Sequence, residues 1–254
     1  MSLFISKPKP LYAPMLATFG GGSANGFKAS AGGGPDGDIV TTSILANFDA
    51  ATYSGSGNWI ASNDSSKSAT LTGVTYSTDN QGFFTFTSGD EAITNIQVNL
   101  YSFTYCFWGR LASDAANGDE HALDTFENNS VEWTYLGASG TPSAPKAQFV
   151  VDNQSVKETV NGSTTFNRNQ WVHIAGTRSN TNGAMIVYLN GSQDGTGTST
   201  TGTILGQEVL AIGSSDVGGG RWKGDIAIVQ TYNDVLTASQ ILQNYNAQKW
   251  RFGL

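Results

Sequence analysis

From Ile39 onward the chain alternates apolar and polar residues in short stretches, the period of two that a half-buried β-strand imposes. Ser102–Leu111 shows it most clearly. Phe103, Tyr105 and Phe107 fall on one face, with Ser102, Thr104, Cys106 and Trp108 on the other. Trp171–Arg178 and Met185–Leu189 are two further apolar runs, and the residues between them, Ser179-Asn180-Thr181-Asn182-Gly183, suit a hairpin connection. Asn190-Gly191 closes the second run with a pair that tolerates positive φ. The same reading predicts strands at Ala69–Tyr76, Phe83–Thr87, Glu91–Val98, Val131–Leu136, Lys146–Val151, Glu208–Ile212 and Asp225–Tyr232. Many short strands at this spacing predict a sandwich or jelly roll. One helix is expected near the end. Thr237-Ala238-Ser239-Gln240 is a capping box, and Ile241, Leu242 and Tyr245 follow it on one face.

Residues 1–38 follow a different pattern. Lys7-Pro8-Lys9-Pro10 is followed by Gly20-Gly21-Gly22 and Gly32-Gly33-Gly34-Pro35. Glycine and proline at that density do not build a packed core, so the segment is expected to be a flexible anchoring arm. The division is therefore an arm over 1–38 and a folded body over 39–254. Within the arm, Leu11, Tyr12, Met15, Leu16 and Phe19 form a patch too apolar for a plain linker. Such a patch suits docking on a neighbouring chain or folding back onto its own body.

Composition narrows the functional classes. Charged residues are only 13 % of the 254, against roughly 25 % in an average soluble domain. The polarity comes from Ser, Thr, Asn and Gly, which suit tight turns. A net charge of −7 repels phosphate and argues against nucleic-acid binding, while remaining compatible with calcium, neutral sugars or protein surfaces. The single cysteine, Cys106, lies in an aromatic strand pattern and is expected to be a buried thiol. Met1–Ile5 lacks the basic-then-apolar pattern of a secretion signal, and no stretch approaches the roughly 20 apolar residues of a membrane span. The expectation is a soluble product made in a reducing cytoplasm, with no membrane partner.

Several motifs resemble the concanavalin A-like lectin/glucanase superfamily, within it the laminin-G-like and pentraxin-like jelly rolls. Trp171-Val172-His173-Ile174-Ala175-Gly176-Thr177 followed by Val187-Tyr188-Leu189-Asn190-Gly191 looks like the paired central strands of that group. Leu210-Ala211-Ile212-Gly213, then Trp222 to Val229, looks like its closing strands, and Tyr232 to Ile241 like its bent strand and short helix. The resemblance covers about residues 44–250. It implies an all-β fold, a two-sheet antiparallel jelly-roll sandwich with one short C-terminal helix and an extended N-terminal arm. A narrower resemblance joins Pro10 to Gly22 and Asn244 to Gly253 to virion structural proteins of tailed phages of marine or cyanobacterial hosts.

Candidate chemistry is sparse. Laminarinase-type members of the superfamily carry Glu-x-Asp-x-x-Glu on one strand, and glycoside hydrolysis needs two carboxylates flanking the bond. The nearest match here is Glu120, Asp124 and Glu127, whose spacing departs from that motif and needs a β-bulge to gather them on one face. No catalytic residues are therefore assigned. His121 and His173, without clustered cysteines or carboxylates, do not make a zinc site, and His173 is expected to be hydrogen-bonded within the sandwich. The resemblance implies calcium as a possible cofactor, with Asp49, Asp152 and Asp225 as candidate ligands. A sugar site would stack an exposed aromatic ring on a pyranose face. Among Trp59, Trp133, Trp222 and Trp250, the glycine run before Trp222 makes it the best placed, with Arg221 and Asp216 beside it.

These readings converge on a non-enzymatic virion component: a capsid decoration, head fibre or tail-fibre protein. It would be held to other virion proteins by its arm and would form homo-oligomers, as symmetric particles do. The other readings are a lectin recognising host glycans and a glycoside hydrolase.

Overall fold

The computed structural model describes residues 37–87, 89–97, 101–115, 118–125, 132–141, 143–153, 156–203, 209–214 and 220–254. Its strands begin with β1 (Ile44–Asp49), β2 (Trp59–Ile60), β3 (Ser68–Thr72), β4 (Thr75–Ser77), β5 (Phe83–Phe86) and β6 (Glu91–Gln97). They continue with β7 (Phe103–Leu111), β8 (Glu120–Asp124), β9 (Trp133–Thr141), β10 (Ala144–Asp152) and β11 (Lys157–Thr165). The last are β12 (Val172–Arg178), β13 (Ala184–Leu189), β14 (Ser192–Thr198), β15 (Val209–Ile212) and β16 (Gly224–Tyr232), followed by helix α1 (Ala238–Lys249).

Two sheets form, each eight-stranded. The first runs β14-β13-β12-β7-β16-β5-β4, with β1 on the second half of β16; the second runs β11-β10-β9-β8-β15-β6-β3-β2. The strand pairs are antiparallel, so the expected jelly-roll sandwich is what the chain builds. The inner faces meet in one core, where Phe48, Phe84, Phe107 and Val187 of the first sheet pack on Leu136, Phe149 and Ile212 of the second. Full burial of each such side chain contributes roughly 1.5–3 kcal/mol. The sheets approach closely at Gly176 of β12, where a Cβ would lie 2.8 Å from Phe149 and 2.9 Å from Leu136.

The run predicted as one strand over Ala69–Tyr76 is two strands in different sheets. The chain leaves β3 and turns into β4 through Gly73, at φ 76°. Alternation persists through the corner, so the pattern alone hides the break. The hairpin expected between β12 and β13 forms, with Gly183 at φ 69°, and Asn190-Gly191 turns at φ 50° and 79°.

α1 lies on the outward face of the first sheet. Its Ile241 joins Cys106, Tyr188 and Tyr232, while Tyr245 and Phe252 pack on Trp108 and Trp171. The capping box is present, with Thr237 and Gln240 bonding reciprocally. Leu242, expected on the packed face, points outward, and Asn244 is buried in its stead. The Asn244 amide accepts from Val40 N–H at 2.8 Å and donates to the Tyr232 hydroxyl at 2.9 Å. This pins the start of the body to the helix. Cys106 is a buried free thiol, pushed far above its ordinary pKa by desolvation. No described helix is long and apolar enough to cross a membrane.

Candidate functional site

Strands β8 to β11 carry a polar and aromatic cluster on the outward face of the second sheet. On β9, Leu136 and Ala138 enter the core, so alternation turns Trp133 and Tyr135 outward. On β10, Ala147, Phe149 and Val151 point inward, which leaves Gln148 outward, opposite its register partner Asn161 of β11.

β8 breaks its own alternation. A register shift between His121 and Leu123 lets Glu120 pair with Ala138, His121 with Gly137, Leu123 with Leu136 and Asp124 with Tyr135. The extra residue of this bulge puts His121 and Asp124 together on the outward face and Glu120 on the inward one. There the Glu120 carboxylate accepts from the Lys223 backbone N–H at 3.0 Å.

The outward side chains are held by one another. His121 Nδ1 lies 2.6 Å from Asp124 Oδ2, and both residues are buried. The imidazole stacks on Tyr135 with centroids 3.7 Å apart and planes 14° from parallel. Tyr135 in turn stacks with Trp133, at 5.7 Å and 8°, and the Lys157 ammonium lies 4.9 Å from the Trp133 ring centre. The Tyr135 hydroxyl donates to Gln148 Oε1. Burial, reinforced by the negative charge of Asp119 and Asp124, pushes that phenol well above its ordinary pKa, so it stays a donor. Gln148 Nε2 donates to Asn161 Oδ1 at 2.8 Å, and Ser139 Oγ to the same oxygen at 2.9 Å. Asn161 and Lys157 reach solvent at the edge of the cluster.

Arg221 joins this face through backbone pairing. It forms an isolated parallel bridge with His121, and His121 N–H donates to Gly220 C=O at 2.8 Å. Planar amides, rings in register and a cation are the groups that recognise sugar hydroxyls and ring faces. Among the described residues the two carboxylates of β8 point to opposite sides of the sheet, which does not assemble the pair that glycoside hydrolysis requires. Glu127 lies outside the described residues.

A second concavity lies where the edges of the two sheets meet, a cleft of about 470 Å³ lined by Tyr53, Asn58, Leu71, Val74, Tyr76 and Phe84. Its rings pack edge-on against each other, Tyr53 on Tyr76 and on Phe84 at 4.9 Å each. Its phenols are already engaged, Tyr53 with Gly57 C=O and Tyr76 with Ala50 C=O, both at 3.1 Å.

The residues singled out from sequence fall in several places. Trp222, expected as an open platform, is 0 % exposed: it packs edge-on to Phe107 at 5.2 Å and donates to Asp225 C=O at 3.3 Å. The indole turns between the sheets and joins the core. Trp59 is likewise in the core against Phe48 and Phe84, and Trp250 is exposed on the last turn, its N–H on Ala247 C=O. Arg221 reaches the outward cluster, and Asp216 lies outside the described residues, as do Leu11, Tyr12, Met15, Leu16 and Phe19 of the arm.

The three aspartates considered for calcium do not come together. Asp49 is paired with Arg251 at 2.6 Å, and Asp225 with Arg110 at 2.6 Å, while Asp152 lies on β10 of the second sheet. Among the described residues no three His, Cys, Asp or Glu side chains form a metal-sized group. His173 also departs from expectation. It is fully buried beside Trp108 and Tyr245, and neither ring nitrogen has a partner. The ladder His121–Tyr135–Trp133 was missed because β8 shows no clean alternation; the register partners on β9 are the only signal that reveals it.

Fold and site together define a two-sheet jelly-roll module with a polar-aromatic outward face. The chain belongs to the concanavalin A-like lectin/glucanases superfamily: the profile of its laminin-G-type domain matches residues 85–242. Over 81 % of this chain and 98 % of the other, it superposes on the fourth domain of an extracellular arabinanase from Geobacillus stearothermophilus, solved with arabinotriose (TM-score 0.59, 17 % identity). The receptor-binding domain of botulinum neurotoxin D matches at TM-score 0.62 and 13 % identity, over 81 % of this chain and 53 % of that one. A Trypanosoma rangeli sialidase matches at 0.61 and 13 %, over 85 % of this chain but only 34 % of its own length. These identities establish a shared fold. A search of curated protein sequences finds no match.

Proposed function

We propose that the chain is a non-catalytic glycan-binding module whose binding surface is the outward face of β8–β11. The observation that carries this reading is the half-buried Trp133 ring beside the exposed Lys157 and Asn161, held from beneath by the buried Tyr135, His121 and Gln148. A pyranose offers an apolar face for a ring and hydroxyls for amides, and at the edge of the network Trp133 and Asn161 supply one of each. The arabinotriose complex of the superposed arabinanase domain is in keeping with a saccharide ligand for this fold. A hydrolytic reading is disfavoured by the placement of Glu120 and Asp124 on opposite faces.

The module is further proposed to be a tailed-phage particle component, displayed by residues 1–38 on capsid or tail proteins and present as a homo-oligomer. That finer reading rests on the sequences of Pro10–Gly22 and Asn244–Gly253. Calcium remains a proposed ligand of this module. Host-surface adhesion then follows from a glycan site carried on a particle.

The test is calorimetric titration of the full chain with saccharides selected on a glycan array, repeated with Trp133→Ala and Asn161→Ala. Micromolar to millimolar binding that Trp133→Ala weakens about fivefold supports the site, since a stacked ring contributes on the order of 1 kcal/mol. Binding that ignores both substitutions, or no binding to any saccharide, refutes it. Mass spectrometry of purified particles, asking whether the chain is present and whether deleting 1–38 removes it, tests the particle reading.

A further inference from the structure

A third concavity, of about 340 Å³, opens at one end of the sandwich and is lined by Leu45, Gln97, Tyr101, Ser102 and Asn233. Its walls come from both sheets. Gln97 ends β6 of the second sheet, while Leu45 lies on β1, Ser102 precedes β7 and Asn233 follows β16 of the first. Leu45 packs on the core and supplies the apolar part of the lining. Tyr101 is 51 % exposed, and Gln97 and Asn233 are exposed beside it. A ligand can therefore reach the ring and both amides from solvent.

An exposed ring binds best when little ordering remains to be done on binding. The backbone beneath Tyr101 is fixed by a buried cation. The Arg178 guanidinium, 0 % exposed, donates to the carbonyls of Tyr101, Thr200 and Gly202 at 2.7 to 2.8 Å and to Ser199 Oγ at 3.2 Å. Desolvating a guanidinium is costly, and these acceptors offset the cost, so the segments that carry them are tied together. The Ser102 hydroxyl donates to Asn180 Oδ1 at 2.9 Å and accepts the Asn180 N–H at 3.1 Å, which adds the β12–β13 hairpin to the same clamp. On the other wall, Asn233 is fixed by its own N–H on Ser43 C=O at 2.9 Å. The ring and the Asn233 amide thus rise from anchored backbone.

The lining also limits the ligand. No Asp, Glu, Lys, Arg or His lines the pocket, so a charged group would lose hydration there without gaining a counter-charge. A sugar combines an apolar ring face, which stacks on an aromatic side chain, with hydroxyls that donate and accept as a primary amide does. The volume lies at the lower end of the range for ligand pockets, roughly 300–1,000 Å³. We infer that this pocket is a second saccharide site, selective for neutral sugars. The Tyr101 ring stacks on the sugar face, and the amides of Gln97 and Asn233 bond its hydroxyls. The pocket shares no residue with the outward face of β8–β11 and does not depend on that face binding a glycan.

The isotope-labelled full chain is titrated with neutral hexaoses of glucose, mannose and galactose, and with an oligouronate of the same length. The side-chain amide resonances of Gln97 and Asn233 are followed by nuclear magnetic resonance. At least one neutral hexaose is expected to shift both resonances along a saturable micromolar to millimolar isotherm. Tyr101→Ala weakens that isotherm about fivefold, and Tyr101→Phe retains it, because the ring face rather than the hydroxyl meets the sugar. Trp133→Ala leaves it unchanged. The thermal midpoint of Tyr101→Ala stays where it is, since the ring is exposed and Arg178 holds a backbone carbonyl that alanine also has. A midpoint lowered by several degrees marks the ring as structural and overturns the inference. So do shifts that survive Tyr101→Ala, an oligouronate that binds as tightly as the best neutral sugar, or the absence of shifts with every hexaose. Shifts at Gln97 and Asn233 with no saccharide bound at Trp133 uphold this site and sink the other. Binding that only Trp133→Ala weakens does the reverse.

Discussion

His121 and Asp124 are three residues apart on β8, yet they share one face and meet at 2.6 Å between Nδ1 and Oδ2. In an unbroken strand, positions three apart point to opposite sides. The bulge before Leu123 brings them together and simultaneously sends Glu120 to the inner side, where it holds the Lys223 N–H. One inserted residue therefore sets which ionisable groups belong to the outward cluster. Asp124→Ala is expected to destabilise the chain by about 1.5–3 kcal/mol, since it leaves a buried donor facing no acceptor. The same substitution weakens saccharide binding by loosening the ring that stacks on Tyr135. Urea unfolding and saccharide titration check the two effects separately.

His173 supplies a pH dependence whose sign is opposite to that of an ion-paired histidine. Complete burial, with no partner for either ring nitrogen, depresses its pKa from 6.5 to about 3. Facing it are Trp108 of β7 and Tyr245 of α1, and beyond them the Lys249 ammonium lies over the Tyr245 ring and the Arg251 guanidinium over Phe252. The unfolded chain takes up the proton below about 6.5 and the folded chain does not until about 3, so stability falls as pH drops through that window. By pH 5 the loss amounts to about 2 kcal/mol. His173→Leu removes this dependence and, lacking orphaned nitrogens, is at least as stable as wild type at neutral pH. Urea midpoints of the two proteins at pH 7.5 and pH 5 should diverge. Parallel behaviour would contradict a neutral, buried imidazole.

Thr237→Ala removes one half of the reciprocal Thr237–Gln240 cap. The expected cost is about 1 kcal/mol. Because α1 holds the start of the body through Asn244 and covers Trp108 through Gln248, the loss should appear in global unfolding rather than in fraying alone. Amide hydrogen exchange at Val40, whose N–H donates to Asn244, reports the same event locally.

Trp222→Ala separates a core role from a ligand role. The indole fills the space between the sheets beside Phe107, and its removal costs about 3–5 kcal/mol. Saccharide affinity per folded molecule should be unchanged. A selective loss of binding with stability intact would restore Trp222 to the surface role its glycine neighbours suggest.

The class of fold and much of its strand inventory were readable from local pattern. β7, β12 and β13 sit within a residue or so of the predicted runs, and the Thr237–Gln240 cap begins the helix. Alternation and capping are set by nearest neighbours along the chain, so they survive without knowledge of the third dimension. Less regular strands were not legible. β8 carries a bulge, and β14, with Gly195 and Gly197, lacks apolar alternation.

The amino-acid sequence by itself determined that strands would form, where most of them lie, which helix would close the chain and that the surface would be acidic and poor in charge. Tertiary structure alone decided the site. Whether Trp222 faces solvent and whether Glu120 or His121 joins Asp124 both depend on strand register between segments far apart in sequence. A register shift of one residue reverses every side chain on a strand, and the energy that selects it comes from contacts across sheets rather than from residues along them.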